Sequence, residues 1–363
     1  MGKHLLGRKV LCVLFVLVML AGQAMAIGTS ASSAVLIEQN SGRVLYSQNG
    51  DEERLIASIT KIMTAVTALE NADKAQKYTV TAQDMAEGSS MYLQPGDTLR
   101  LEELLYGLML VSGNDAALAV AHCVSGETED FVALMNQTAE RLGMEHTHFV
   151  NPNGLDAEGH YSSAKDMSVL AAYALKNQDF RRIVSTASVT IGERYFANHN
   201  KLLRMCEGCI GVKTGFTKAA GRTLVSAATR DGMTLVCTTL NDGDDWNDHM
   251  ALLDYGFANY HLETAVPAGR VLASVLVRDG TEISVPLAAS EDLCYPLTGD
   301  ETLKVVARVP ISAAAPIVPG QVLGEVCAYL NEEEVARVDL VAAAPSAKKE
   351  MPKKSSNWWF KAF

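Results

Sequence analysis

Ala57-Ser58-Ile59-Thr60-Lys61-Ile62-Met63-Thr64-Ala65-Val66-Thr67-Ala68-Leu69 sets a hydroxyl and an amine three residues apart, at the mouth of a segment otherwise apolar or small. A run with no charged face predicts a helix, Ile59–Leu69, buried on most sides, so the rest of the chain must wrap around it. On a helix, positions i and i+3 share a face with Cβ atoms ~5–6 Å apart, and Lys61 can reach back to the Ser58 oxygen. A serine hydroxyl is a poor nucleophile until a base takes its proton, and a lysine in water is protonated at neutral pH. Apolar surroundings supplied by Ile62, Met63 and Val66, with a second cation nearby, favour the uncharged amine.

Outward from this helix the pattern changes. Upstream, Ala34–Glu38 and Arg43–Ser47 alternate around Asn40-Ser41-Gly42 and predict a β-hairpin. Downstream, Leu101–Val111 predicts a second apolar helix with Asp97 or Thr98 as its cap, followed by helical patterns at Glu129–Leu142 and Ala164–Lys176. Strands return at Ile210–Lys213, Leu224–Thr229 and Met233–Leu240, the last two joined through Asp231-Gly232. Helices between a first hairpin and a last set of strands predict one α+β domain whose sheet is built from both ends of the segment. After about Tyr260, β-branched runs with Gly and Pro punctuation (Val271–Arg278, Glu282–Leu287, Leu303–Val309, Gln321–Tyr329, Val335–Val341) predict a smaller all-β domain. The division is therefore 27–260 and 261–344.

The ends of the 363-residue chain have their own character. Lys3, Arg8 and Lys9, the apolar run Val10–Leu20 and Ala24-Met25-Ala26 form a secretory signal over 1–26, cleaved after Ala26; the run is short for a bilayer-spanning anchor. Without those residues, 28 basic face 42 acidic side chains, a net of −14, which argues against a nucleic-acid partner. The tail 345–363 collects Lys348, Lys349, Lys353, Lys354 and Lys361 with Trp358, Trp359, Phe360 and Phe363. Its composition suits an anionic membrane surface and equally a disordered tail.

Six cysteines remain after the signal, in no framework spacing; Cys206-x-x-Cys209 reads as a bland pair before a local disulfide. His146-Thr147-His148 lacks a third ligand, and Asp242, Asp244, Asp245 and Asp248 lack calcium-loop spacing and read as a solvated turn. No metal and no cofactor is called for.

Ser-x-x-Lys alone is a weak signal, since Ser162–Lys165 and Ser346–Lys349 also fit; only Ser58 opens a buried helix. Ser112-Gly113-Asn114 falls between two apolar helices, where a polar loop can present Ser112 and Asn114 to a cleft, although helix caps would look alike. Lys213-Thr214-Gly215 ends a strand, and its glycine permits close backbone approach, as for an extended peptide paired by β-addition with Lys213 and Thr214 facing a carboxylate. In the order S-x-x-K, S-x-N, K-T-G, the three make coincidence improbable.

With these motifs, and with GSSMYLQPGD, LMLVSGNDAA, Asn151–Leu155 (NPNGL) and GVKTGFT, the chain resembles the D-alanyl-D-alanine carboxypeptidases, low-molecular-mass penicillin-binding proteins of serine peptidase family S11. The resemblance implies a penicillin-binding-protein/β-lactamase-like transpeptidase fold, a helical cluster on a five-stranded antiparallel sheet. It implies that Ser58 attacks the carbonyl between two terminal D-alanines of a peptidoglycan stem peptide, that β-lactams acylate the same serine, and that Lys61 is the base. Ser112 and Asn114 would relay protons and hold the peptide, Lys213 would supply positive potential, and Thr214, Gly215 and Phe216 would line the substrate. Backbone N–H groups of Ser58 and Phe216 would hold the oxyanion.

Two departures stand out: Ile56 replaces a frequent proline, and His199 falls where some relatives carry arginine, so it is either the carboxylate contact or a strand histidine. A β-lactamase is the second reading, but Gly113 replaces the aspartate of class A and the nearest acid, Glu158, falls on a predicted loop. A non-catalytic wall-binding protein of the same fold is the third, against which the intact Ser58, Lys61 and Lys213 argue.

Overall fold

The computed structural model describes residues 27–350. Residues 1–26, where the sequence predicts a signal, and the end of the tail, 351–363, lie outside the described residues.

Five strands form the first sheet: β1 (Ser33–Glu38), β2 (Val44–Gln48), β3 (Cys209–Thr217), β4 (Gly221–Arg230) and β5 (Met233–Leu240), in the order β2-β1-β5-β4-β3, antiparallel throughout. Both ends of the segment thus supply the sheet, as the pattern predicts. Every residue of β1 and β5 is buried, which simple alternation does not anticipate. The cause is a layer on each face. Val35, Ile37, Val225 and Val236 pack under the helical cluster, whereas Ala34, Leu36, Leu235 and Cys237 pack against Leu252 and Leu253. The last two belong to a helix at Asp245–Asn259 that the sequence reading did not isolate. A strand covered on both sides loses its polar alternation.

The helical cluster contains α1 (Lys61–Asn71), α2 (Leu101–Leu110), α3 (Asn114–Ser125), α4 (Thr128–Arg141) and α5 (Ala164–Ala174). Lys61–Ala68 of α1 is wholly buried, as its uncharged composition requires. Asp97 and Thr98 do not cap α2. Its first turn is closed by Glu103, whose carboxylate accepts from the Arg100 N–H at 2.7 Å, because Thr98–Arg100 is drawn into a short strand paired with Lys77–Thr79. Asp97 instead accepts from the Gln94 N–H and pairs with Arg194 at 2.6 Å.

The acidic segment at 242–248 is not a solvated turn. Asp242 and Asp245 are buried, Asp245 holding Arg222, because the segment docks the Asp245–Asn259 helix on the sheet. A buried His249 on that helix bridges Ser226 and Thr239 at 2.6 and 2.9 Å.

Beyond His261, a six-stranded sheet spans Val271–Ala342, beside a two-stranded ladder of His261–Val266 with Leu293–Leu297. Arg43, in the turn before β2, joins the two regions: it forks onto Glu301 at 2.6 and 2.8 Å and lies over the Tyr260 and Tyr295 rings. Cys206 and Cys209 are free thiols, with the Cys209 N–H donating to the Cys206 carbonyl across a turn. Among the described residues, no helix is long and apolar enough to cross a membrane.

Candidate active site

β3 is an outer strand of its sheet, so one edge of its backbone has no strand partner among the described residues, and three segments of chain gather beside it. The first is the turn that carries Ser58. Ser58 lies in a 3₁₀ turn, Ala57–Thr60, and the α-helix begins only at Lys61. Ala57 is held left-handed at φ +50°, a conformation that costs an alanine energy and persists only where the surroundings enforce it.

The enforcement is visible. Thr60 Oγ1 donates to the Ala57 carbonyl at 2.8 Å and accepts from His160 Nε2 at 2.8 Å. His160 Nδ1 accepts from the Val150 N–H, which fixes the proton on Nε2; burial drives this imidazole down to about 4, so it stays neutral. Thr223 Oγ1 donates to the Ile56 carbonyl at 2.9 Å.

Gly215 explains the glycine of the third motif. A Cβ there would collide with the Thr223 hydroxyl and come within 3.0 Å of the Ser58 nitrogen. Strand β3 and the Ser58 turn can approach this closely only because that atom is missing.

Lys61 is fully buried, and its Nζ lies 3.0 Å from Ser58 Oγ. It also meets Asn114 Oδ1 at 2.8 Å and the backbone carbonyl of Asn153. Ile62, Met63 and Val66 face the core as expected, and the dry amine is also ringed by three oxygens. Asn114 Nδ2 donates to the Glu87 carbonyl at 2.6 Å, which fixes its Oδ1 toward Lys61. Burial, then the charge of Lys213, pulls Lys61 well below the ordinary lysine value, against a smaller opposite pull from Asp115. A neutral amine has two N–H bonds and one lone pair. With the N–H groups donated to Asn114 and Asn153, the lone pair is left for the Ser58 hydroxyl.

Ser112 sits at φ +62° in the loop between α2 and α3, buried, with Asn114 opening α3. Lys213 is buried too, and desolvation lowers it to about 7; its ammonium donates to the Thr214 carbonyl at 2.8 Å. Ser58, Ser112, Thr214, Gly215, Phe216 and His199 line one cleft of about 280 Å³. Phe216 is 65% exposed at the rim of this cleft. His199 occupies the bend after the Arg194–Ala197 strand and is no strand histidine; the cleft walls and Lys213 hold it below its ordinary value. Glu158 is exposed on its loop. A second cleft, of about 430 Å³, shares Ser89 and His199 with the first and is walled by Tyr92, Arg194 and Tyr195.

Sequence reasoning missed several parts. Asn153 contributes a backbone carbonyl, which no side-chain pattern announces, though the NPNG turn placing it is visible. Thr64 secures that turn by donating to the Pro152 carbonyl at 2.6 Å. Asp115, buried in the first turn of α3, accepts from the Met91, Leu93 and Ala116 N–H groups and the Ser90 hydroxyl, and so shapes the loop over the cleft. Its signal was an acid at a helix N-terminus. Arg222, Asp245 and Trp246 complete the cleft wall from elements far apart in sequence.

Residues 21–244 match the family described as D-alanyl-D-alanine carboxypeptidase, and 260–346 match the C-terminal domain of penicillin-binding protein 5. The chain is 33% identical to D-alanyl-D-alanine carboxypeptidase DacF of Bacillus subtilis, over 90% of this chain and 86% of the relative. It is 31% identical to DacA of Escherichia coli strain K12, over 86% and 82%. Among solved structures, penicillin binding protein 5 from Haemophilus influenzae superposes with a TM-score of 0.74 at 28% identity, covering 88% of this chain and 98% of that one. A serine-to-alanine mutant of the Streptomyces K15 DD-transpeptidase gives 0.61 at 34% identity, covering 64% and 99%. A dry lysine against a serine at the edge of a five-stranded sheet is thus met, from an independent direction, by likeness along most of the chain, and the protein belongs to the D-alanyl-D-alanine carboxypeptidase family of penicillin-binding serine peptidases.

Proposed function

We propose that this enzyme removes the terminal D-alanine from peptidoglycan stem pentapeptides through an acyl-enzyme on Ser58. The observation that carries the reading is the buried Lys61 Nζ at 3.0 Å from Ser58 Oγ, with its other two directions occupied by acceptors. The neutral amine takes the hydroxyl proton as Oγ attacks the carbonyl carbon of the penultimate residue. Negative charge develops on the carbonyl oxygen, and the backbone N–H groups of Ser58 and Phe216 receive it. Collapse breaks the C–N bond. The departing D-alanine takes its proton from Lys61 by way of Ser112, and Asn114 keeps the amine in register. Water then attacks the ester, gives a proton back through the same groups, and releases the shortened peptide with Ser58 restored.

Lys213 supports both steps by its charge, which holds Lys61 neutral and attracts the anionic end of the peptide. Thr214 and Gly215 offer the open edge of β3 for the substrate backbone, and His199 lines its far side. The second cleft, reached past Ser89, is where the upstream residues of the stem peptide would run. β-Lactams acylate Ser58 by the same attack. We further infer export by the 1–26 signal, a catalytic unit over 27–260, a β-rich unit over 261–344, and a basic, aromatic tail over 345–363 that contacts an anionic membrane surface.

The test is release of D-alanine from diacetyl-Lys-D-Ala-D-Ala, run beside Ser58→Ala, with peptide mapping by mass spectrometry after brief exposure to penicillin. The expected result is turnover by the native enzyme, loss of roughly three orders of magnitude or more in Ser58→Ala, and a persistent adduct on Ser58. Equal rates, or an adduct elsewhere, would end the proposal; prompt release of hydrolysed penicillin would favour a β-lactamase.

A further inference from the structure

Cys206 and Cys209, on the segment that leads into β3, take no part in the catalytic steps. Cys206-Glu207-Gly208-Cys209 is a tight turn, closed by the Cys209 N–H donating to the Cys206 carbonyl at 3.3 Å. Gly208 is left-handed at φ +73° and Glu207 is not, the signature of a type II turn. Only glycine fits at 208, because a Cβ there would collide with the Thr229 carbonyl. The neighbours pin the turn from both sides. The Gly208 carbonyl accepts from the Thr229 N–H at 2.9 Å, Arg230 Nε donates to the Glu207 carbonyl at 3.2 Å, and the Cys206 N–H donates to the Leu202 carbonyl at 2.9 Å.

A closed turn of this kind holds its two end Cα atoms within ~7 Å of each other. A disulfide joins Cα atoms ~4.4–6.8 Å apart. The backbone is therefore already placed for a bridge, and closure asks only for rotation of two side chains. Both thiols are partly buried, whereas Cys123, Cys237 and Cys327 are buried and Cys294 belongs to the ladder beside the second sheet. Burial raises the two thiols, Cys209 to about 11, but at Cys206 the Arg230 guanidinium, with Nη2 3.7 Å from Sγ, opposes the rise. Cys206 is thus the readier nucleophile.

We propose that Cys206 and Cys209 are a redox site, closing to an intramolecular disulfide in the presence of a disulfide-bearing oxidant and so clamping the entry of β3. The Cys206 thiolate attacks one sulfur of the oxidant. Its S–S bond breaks, and the first leaving thiolate takes up the proton that Cys206 gave. Cys209 then attacks Cys206 Sγ, and the second thiolate leaves with the proton of Cys209. Two protein thiols are oxidised to one disulfide while one disulfide of the oxidant is reduced to two thiols. Cys209 is the first residue of β3, so the bond would tie the strand that carries Lys213 to the short helix Leu202–Met205. The export inferred above would bring the pair to an oxidising compartment. The chemistry itself depends neither on export nor on the peptidase reading.

The experiment uses the full chain, equilibrated with glutathione disulfide or with dithiothreitol, quenched in acid, labelled with N-ethylmaleimide after denaturation, and mapped by mass spectrometry. After glutathione disulfide, the peptide holding both cysteines is expected to be unlabelled and lighter by two hydrogens; after dithiothreitol, both thiols take label. Cys209→Ser should stop at a glutathione adduct on Cys206, and Cys206→Ser should form its adduct on Cys209 at least about tenfold more slowly. Oxidation should raise the Tm of the native chain by about 2–5 °C and leave both variants unmoved. Label at both positions after glutathione disulfide, or a bridge from either to Cys237, would overturn the site. Closure with no change in Tm would overturn the clamp, and equal adduct rates in the two variants would overturn Cys206 as the entering thiol.

Discussion

Lys61 and Lys213 are at most 1% exposed, whereas Arg308, Glu325, Glu334 and Arg337 on the second sheet are 20–62% exposed, and the two groups of charges behave differently for that reason. Around the lysines no carboxylate among the described residues makes contact, so dehydration dominates and both amines are pushed toward neutrality. On the second sheet each arginine meets two glutamates and water screens every pair, so the charges stay charged and contribute little individually. Burial without a counter-ion turns a lysine into a base; exposure with counter-ions makes a charge an ordinary surface feature. Arg43 and its Glu301 fork, lying between the two regions, are intermediate in exposure.

The contrast breaks most visibly at Lys61. Replacing it by Met keeps the volume and removes the proposed base, so penicillin acylation followed by mass spectrometry should slow by roughly two to four orders of magnitude. Tm should stay within about 3 °C of native, because losing a buried amine offsets the unpaired oxygens of Asn114 and Asn153. A large fall in Tm with intact acylation would invert the argument.

A smaller effect is expected at Lys213, and it is read in the pH profile. On the proposed mechanism activity needs a neutral Lys61, so it should rise as pH climbs through that group's lowered value. On the same mechanism it benefits from a charged Lys213, so it should decline above about 7. Lys213→Gln removes the declining limb. Because Lys213 pulls Lys61 down, the substitution also lets Lys61 climb, which moves the rising limb to higher pH. Turnover should fall about a hundredfold. An unmoved rising limb would show that the two amines are not coupled.

The smallest effect belongs to the second sheet. Glu325→Gln takes a partner from both Arg308 and Arg337, yet turnover should be unchanged and Tm should move by no more than about 2 °C. A fall of many degrees would mean that this exposed network is coupled to the core.

What could be read early and what could not follows the range of the interactions. The β1–β2 hairpin, the buried α1 and the β4–β5 turn at Asp231-Gly232 are specified by residues close in sequence, and each appears in the fold. The cap of α2 escapes a local reading because Thr98–Arg100 is claimed by a strand whose partner lies about twenty residues upstream. The Asp245–Asn259 helix escapes it because its acidic start resembles a turn until the sheet buries it.

The order of Ser58, Lys61, Ser112, Asn114 and Lys213 along the chain was sufficient to name a chemistry, since each motif pairs a polar group with a local apolar setting. Only the folded chain decided how dry Lys61 is, that the Asn153 carbonyl completes its shell, and that Arg222 reaches the cleft with Asp245 behind it. Those facts depend on desolvation and on backbone groups brought together from distant segments, and neither has a signature in the order of side chains.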